Sequence, residues 1–156
     1  MSSSAREGAS APDFTLAGPE GPFTLSEQRG TPVLLLFYPG DETPVCTKQF
    51  CSYRDRADEL AELDVVAVGI SGGDVAAKEK FSSKHGLTVP LLADEDSTVA
   101  KLYDVHGRFG TKRATILIDA EGVIRSRVVH KIGLGYENVD DLRKLLESIG
   151  AAAPAA

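Results

Sequence analysis

The clearest feature of the chain's hydrophobic pattern is Val33-Leu34-Leu35-Leu36-Phe37, five apolar residues in a row between Pro32 and Pro39. A run with no polar position has no face for water, so it predicts a strand buried on both sides. Val65–Ile70 is a second apolar, β-branched run and predicts another inner strand. Ala114–Ile118 and Val123–Val129 predict two more, joined by the turn Asp119-Ala120-Glu121-Gly122. Phe14–Leu16 and Phe23–Leu25 flank Gly18-Pro19-Glu20-Gly21-Pro22, the pattern of a short hairpin. Val89–Leu92 reads as a brief extended piece.

Elsewhere the apolar positions follow a helical period. From Thr43 to about Leu63, Phe50, Tyr53, Ala57, Leu60 and Ala61 share one face. Asp74 is placed to cap a helix that stops before Gly86, with Phe81 turned inward, and Asp96 to open one running to about Val105 and ended by Gly107. Asn138 caps the last helix, whose stripe is Val139, Leu142, Leu145, Leu146 and Ile149, with Gly150 as its stop. Residues 1–10 read as a mobile leader and 151–156 as a loose tail. Nothing divides the middle, so residues 1–156 are expected to form one domain. The element order predicts an α/β fold with a central mixed β-sheet flanked by helices and an N-terminal β-hairpin, because right-handed crossovers leave few other topologies. This is the thioredoxin-like arrangement.

Charge and cysteine usage narrow the partners. Lys and Arg number 17 against 23 Asp and Glu, a formal charge of −6, which argues against nucleic acid and anionic membranes. No apolar run approaches the roughly 20 residues that span a bilayer. The start, Met1-Ser2-Ser3-Ser4-Ala5-Arg6-Glu7, has no hydrophobic segment, so a cytoplasmic location is expected. Two cysteines are too few for a secreted disulfide scaffold; in a reducing compartment a close pair points to redox work or metal binding.

The pair is Cys46 and Cys51. Thr43 followed by Pro44 reads as an N-cap and a proline at the first helical position, which puts Cys46 third in the helix. There, unpaired backbone N–H groups and the positive end of the helix dipole favour a thiolate over a thiol. Arg113 stands immediately before an apolar strand, where a sheet of this kind ends near that helix start. Plainer readings compete. A free cysteine also packs as a small inert hydrophobe. Half a zinc site is conceivable, but no further cysteine exists and His85, His106 and His130 lack ligand spacing. The histidines read as solvent-facing or capping groups, and Arg54 with Asp55 as an exposed or locally paired set. Gly133-Leu134-Gly135 marks a loop and no more.

Pro39-x-x-x-Thr43-x-x-Cys46 resembles the active-site signature of the peroxiredoxins, thiol peroxidases of the thioredoxin fold. The longer string through Thr47, Gln49, Cys51, Tyr53, Arg54 and Asp55 is similar to the subgroup called peroxiredoxin Q or bacterioferritin comigratory protein. The likeness runs over about residues 8–149 and takes in Ala11-Pro12-Asp13-Phe14, Leu91 to Asp96 and Arg113 to Asp119. Val45 stands where the subgroup usually has glycine, as in other peroxiredoxins. The resemblance implies that Cys46 is the peroxidatic cysteine, that Pro39 shields it, that Thr43 bonds the peroxide and that Arg113 lies over the sulfur. It implies hydrogen peroxide and organic hydroperoxides as substrates, no metal or haem, thioredoxin or a similar dithiol as reductant, and a monomer. Cys51 would resolve the Cys46 sulfenic acid as a disulfide. Residues five apart on an intact helix have Cα atoms about 8.7 Å apart, beyond the roughly 7 Å that a disulfide tolerates. The helix start is therefore expected to unwind in each turnover. Two other functions fit a close cysteine pair: a redox sensor or relay, and a thioredoxin-type disulfide oxidoreductase, although the latter wants two residues between its cysteines where this chain has four.

Overall fold

A computed structural model describes residues 5–108, 110–130 and 135–150. The strands are β1 (Thr15–Leu16), β2 (Phe23–Thr24), β3 (Val33–Phe37), β4 (Val66–Ser71), β5 (Leu91–Ala93), β6 (His106–Gly107), β7 (Gly110–Thr111), β8 (Arg113–Ile118) and β9 (Ile124–His130). The helices are α1 (Pro44–Asp55), α2 (Ala57–Ala61), α3 (Val75–His85), α4 (Thr98–Leu102) and α5 (Val139–Ser148). The main sheet runs β5-β4-β3-β8-β9, with β3 parallel to β4 and antiparallel to β8. It is mixed and helix-flanked, as the sequence predicts, and the front hairpin is the β1–β2 pair.

Strand alternation sorts the core into two layers. Val33, Leu35, Phe37, Val68, Ile70, Ala114, Ile116 and Ile118 face the hairpin and α4, packing on Phe14, Val99 and Tyr103. Leu34, Leu36 and Leu117 face the other way, onto Cys46, Phe50 and Tyr53 of α1, Phe81 of α3 and Val139, Leu142 and Leu146 of α5. Every residue of β3 is therefore buried. Gly69 lets α1 come close: a Cβ built there would meet the Phe50 ring at 2.8 Å.

Several expectations give way. The helix expected over 43–63 breaks at Arg56 (φ −119°, ψ 33°), so α2 is a separate short turn and Ala61 is exposed. The helix expected from Asp96 begins at Thr98 and ends at Leu102; the buried Asp94 carboxylate takes the N–H groups of Val99 and Ala100 at 3.1 and 2.9 Å and so fixes the start. Residues 5–10, expected to belong to a loose leader, lie along β9: Gly8 N–H donates to the Ile124 carbonyl at 2.8 Å and Ala5 is fully buried. Residues 1–4 and 151–156 lie outside the described residues, as do Gly133 and Leu134. Asp74 and Asn138 cap α3 and α5 as expected, accepting from Ala77 N–H and Asp141 N–H. Among the described residues, no helix is long and apolar enough to cross a membrane.

Candidate active site

The site forms where β3 hands over to α1. Thr43 is the N-cap by backbone geometry (φ −79°, ψ 149°) and Pro44 is the first helical residue, so Cys46 holds the third position. The Thr43 hydroxyl does not cap the helix. It donates to the Gly40 carbonyl at 3.0 Å and thereby closes the loop 40–43 on itself. Thr43 and Pro39 are both exposed, whereas Cys46 is fully buried.

Arg113, the first residue of β8, reaches the sulfur: its Nη2 donates to Cys46 Sγ at 2.9 Å. Continuing the β3–β8 register places Arg113 beside Tyr38, on the α1 face of the sheet. Nη1 of the same guanidinium donates to Gln49 Oε1. Gln49 Nε2 in turn donates to the Tyr53 hydroxyl at 2.9 Å, which donates to the Glu137 carbonyl at 2.6 Å. Burial, the main cause, holds the Tyr53 phenol well above its ordinary pKa, which keeps it a donor. The Glu137 carboxylate accepts from Thr115 Oγ1 at 2.6 Å and lies 2.8 Å from His130 Nε2. Two planar groups, an amide and a guanidinium, are thus locked in one orientation under the sulfur. Arg113 Nε is the one buried side-chain polar atom among the described residues that lacks a partner.

Cys51 lies farther along α1, half-buried, and both cysteines are free thiols. Both belong to one unbroken helix, so the geometric bar to a Cys46–Cys51 bond applies as expected. Arg54 donates to Asp55 and, at 2.6 Å, to the His85 carbonyl, pinning α1 to the end of α3. Two of the histidines read as solvent-facing or capping groups are partly exposed and paired with carboxylates, His85 at 2.9 Å from Glu42 Oε1 and His130 at 2.8 Å from Glu137 Oε2.

Sequence reading did not find the roles of Gln49, Tyr53 and Glu137. Gln49 and Tyr53 follow Cys46 by three and seven residues, the spacing of a shared helix face, and that signal was available. Glu137 had none, because its partners come from three other elements.

The model of the AhpC/TSA family matches residues 8–127. A protein of Coxiella burnetii (strain RSA 493 / Nine Mile phase I) named as a peroxiredoxin bcp is 44% identical over 126 residues, 75% of this chain and 83% of that one. A chloroplastic peroxiredoxin Q of Sedum lineare is 38% identical over 147 residues, 92% of this chain and 78% of that one. Among solved structures, the peroxidoxin BcpB from Mycobacterium tuberculosis superposes with a TM-score of 0.79 at 32% identity, covering 97% of this chain and 99% of that one.

Proposed function

We propose, for a chain that belongs to the AhpC/TSA family and is a thiol-dependent peroxidase, that Cys46 is the sulfur that attacks the peroxide. The observation that carries this reading is the 2.9 Å bond from Arg113 Nη2 to a fully buried Cys46 Sγ in the first turn of a helix. The thiolate displaces one peroxide oxygen from the other: an S–O bond forms, the O–O bond breaks, and hydroxide or alkoxide leaves. Charge grows on the leaving oxygen, and preorganised donors lower that barrier, each by about 3–4 kcal/mol. Arg113 is suited to this because it stays charged and offers a rigid fork. Its unpartnered Nε–H lies on the same edge of the fork as Nη2, so a donor is free beside the one that meets the sulfur. The Cys46 backbone N–H and the Thr43 hydroxyl, turned from Gly40, complete the set. Pro39 shields the mouth.

The product is a sulfenic acid on Cys46. The Cys51 thiol then displaces its hydroxyl as water, giving a Cys46–Cys51 disulfide once the first turn of α1 has unwound. A dithiol protein of the thioredoxin type returns both sulfurs to thiols, and hydrogen peroxide and organic hydroperoxides are the oxidants. With both sulfurs in one helix of one chain, a monomeric single domain in the reducing cytoplasm suffices. A redox relay or a disulfide oxidoreductase would use the same sulfurs, but neither accounts for the guanidinium.

The test is sustained peroxide consumption with thioredoxin and its reductase, in the wild type and in Cys46→Ser and Cys51→Ser. The wild type turns over, Cys46→Ser consumes nothing, and Cys51→Ser forms the Cys46 sulfenic acid with its first equivalent, does not turn over and over-oxidises faster. Turnover by Cys46→Ser would end the proposal, and insulin reduction without peroxide consumption would favour the oxidoreductase reading.

A further inference from the structure

Lys78 stands in the second turn of α3 with no exposed surface, and the chemistry above makes no use of it. Fully buried lysines are rare unless paired. An ammonium has three N–H groups, and all three find oxygen: Asp41 Oδ2 at 2.9 Å, Ser71 Oγ at 2.5 Å and the Gly72 carbonyl. Asp41 accepts from the Tyr38 hydroxyl at 2.7 Å through its other oxygen, and the Lys78 nitrogen lies 5.6 Å from the centre of the Tyr38 ring. One charge therefore ties together the end of β4, the turn into α3 and the loop that leads into α1. The next residue, Glu42, has a left-handed backbone (φ 63°) and docks on His85 in the last turn of α3. Two consecutive acidic side chains of the loop are thus both anchored to one helix.

This is a poor way to gain stability. Burial makes the Lys78 ammonium easier to deprotonate, and pairing with Asp41 offsets that only in part. Apolar residues of similar volume often serve a buried pair's place as well or better. Geometry is what the pair provides.

We infer that Lys78 is a positioning residue for peroxide reduction: through Asp41 it holds the loop 38–43, and with it the first turn of α1, in the arrangement where Cys46 meets Arg113. The inference rests on Cys46 being the reacting sulfur. Once the sulfenic acid has formed, two fates compete. Attack by Cys51 expels water and needs the turn unwound. Attack by the sulfenate on a second peroxide breaks that O–O bond, oxidises the sulfur to sulfinic acid, releases water or alcohol and needs the folded site. A tether on the folded turn speeds the first oxidation, slows disulfide formation and so favours over-oxidation.

The experiment compares Lys78→Met, Asp41→Asn and the double variant in the full chain. It measures the rate of Cys46 oxidation by hydrogen peroxide, and the peroxide concentration that half-converts Cys46 to sulfinic acid during turnover with thioredoxin, read by mass spectrometry. Each single variant is expected to react about 10- to 100-fold more slowly, as a misplaced reacting group does, and to need several-fold more peroxide for over-oxidation. The double variant should be no worse than the weaker single, because both act through one bond. A merely structural lysine would lower the melting temperature and leave the over-oxidation threshold where it was. Wild-type rates and thresholds in both singles, or additive losses in the double, overturn the inference. Should Lys78→Met fail to fold, Asp41→Asn decides alone, since Asp41 lies in a loop with a side chain 13% exposed. A wild type inert to peroxide sinks the assignment of Cys46 and this inference with it; an active wild type matched by its variants sinks only the inference.

Discussion

The two faces of the central sheet are built from the same strands and hold different things. Toward the hairpin and α4 the buried side chains are almost all hydrocarbon, and the Tyr103 hydroxyl finds the Pro12 carbonyl at 2.5 Å. Toward α1, α3 and α5 the described residues place five of the seven buried polar or charged side chains: Gln49, Ser71, Lys78, Arg113 and Thr115. Along β8 the division falls residue by residue, Arg113 and Thr115 to one side, Ala114 and Ile116 to the other. Buried polar groups cost stability unless every bond is made. One face holds the molecule together, and the other spends part of that stability on a rigid site for a sulfur.

Substitutions on the two faces should therefore differ in kind. Arg113→Met is expected to have the largest effect, slowing oxidation of Cys46 by about 100- to 1,000-fold through loss of a charged donor, as measured by competition for peroxide. Gly69→Ala comes next. Its methyl group would press on the Phe50 ring one turn beyond Cys46, costing about 1–3 kcal/mol by denaturant unfolding and slowing peroxide reduction as well. Ile116→Val, on the apolar face, should cost about 0.5–1.5 kcal/mol and leave the rate per folded molecule unchanged. A rate loss there to match that of Arg113→Met would erase the distinction between the faces.

The smallest effect is common to both faces. Burial is the leading cause that raises the Tyr38, Tyr53 and Tyr103 phenols; the Asp41 carboxylate adds to it at Tyr38. Their folded pKa values lie above the unfolded one, so their contribution is intact below about pH 10 and is lost as pH rises beyond it. The melting temperature should fall over that range, with the phenolate absorbance of these three, out of four tyrosines in the chain, appearing only on unfolding. Phenolate absorbance from more than one tyrosine in the still-folded protein would contradict the burial, since Tyr136 alone of the four is not buried.

Much of this was legible because it depends on neighbours in sequence. The unbroken apolar run of β3, the Thr43-Pro44 start of α1, the caps at Asp74 and Asn138 and the stripe of α5 each rest on residues a turn or a strand apart. Cys46 and Arg113 were found because each sits at the end of such an element. What stayed hidden depends on partners far along the chain. Lys78 shares a helix face with Phe81, three residues on, but lysine's usual place in solvent outweighs that spacing until Asp41, 37 residues away, is known to face it. At the break, Arg56 bonds Glu59 three residues on and also Asp140 of α5, a partner 84 residues away that no local pattern announces. Thr43 is the N-cap residue that the sequence predicts, but its hydroxyl bonds the Gly40 carbonyl of its own loop rather than a helix N–H, a choice no pattern announces.

The most direct measurement is one equivalent of hydrogen peroxide added to the reduced protein, followed by mass spectrometry of the intact chain and its peptides. The account predicts a loss of two hydrogens with a peptide cross-linked through Cys46 and Cys51, and in Cys51→Ser a gain of oxygen confined to Cys46. Peroxide consumed while Cys46 remains a free, alkylatable thiol would contradict it.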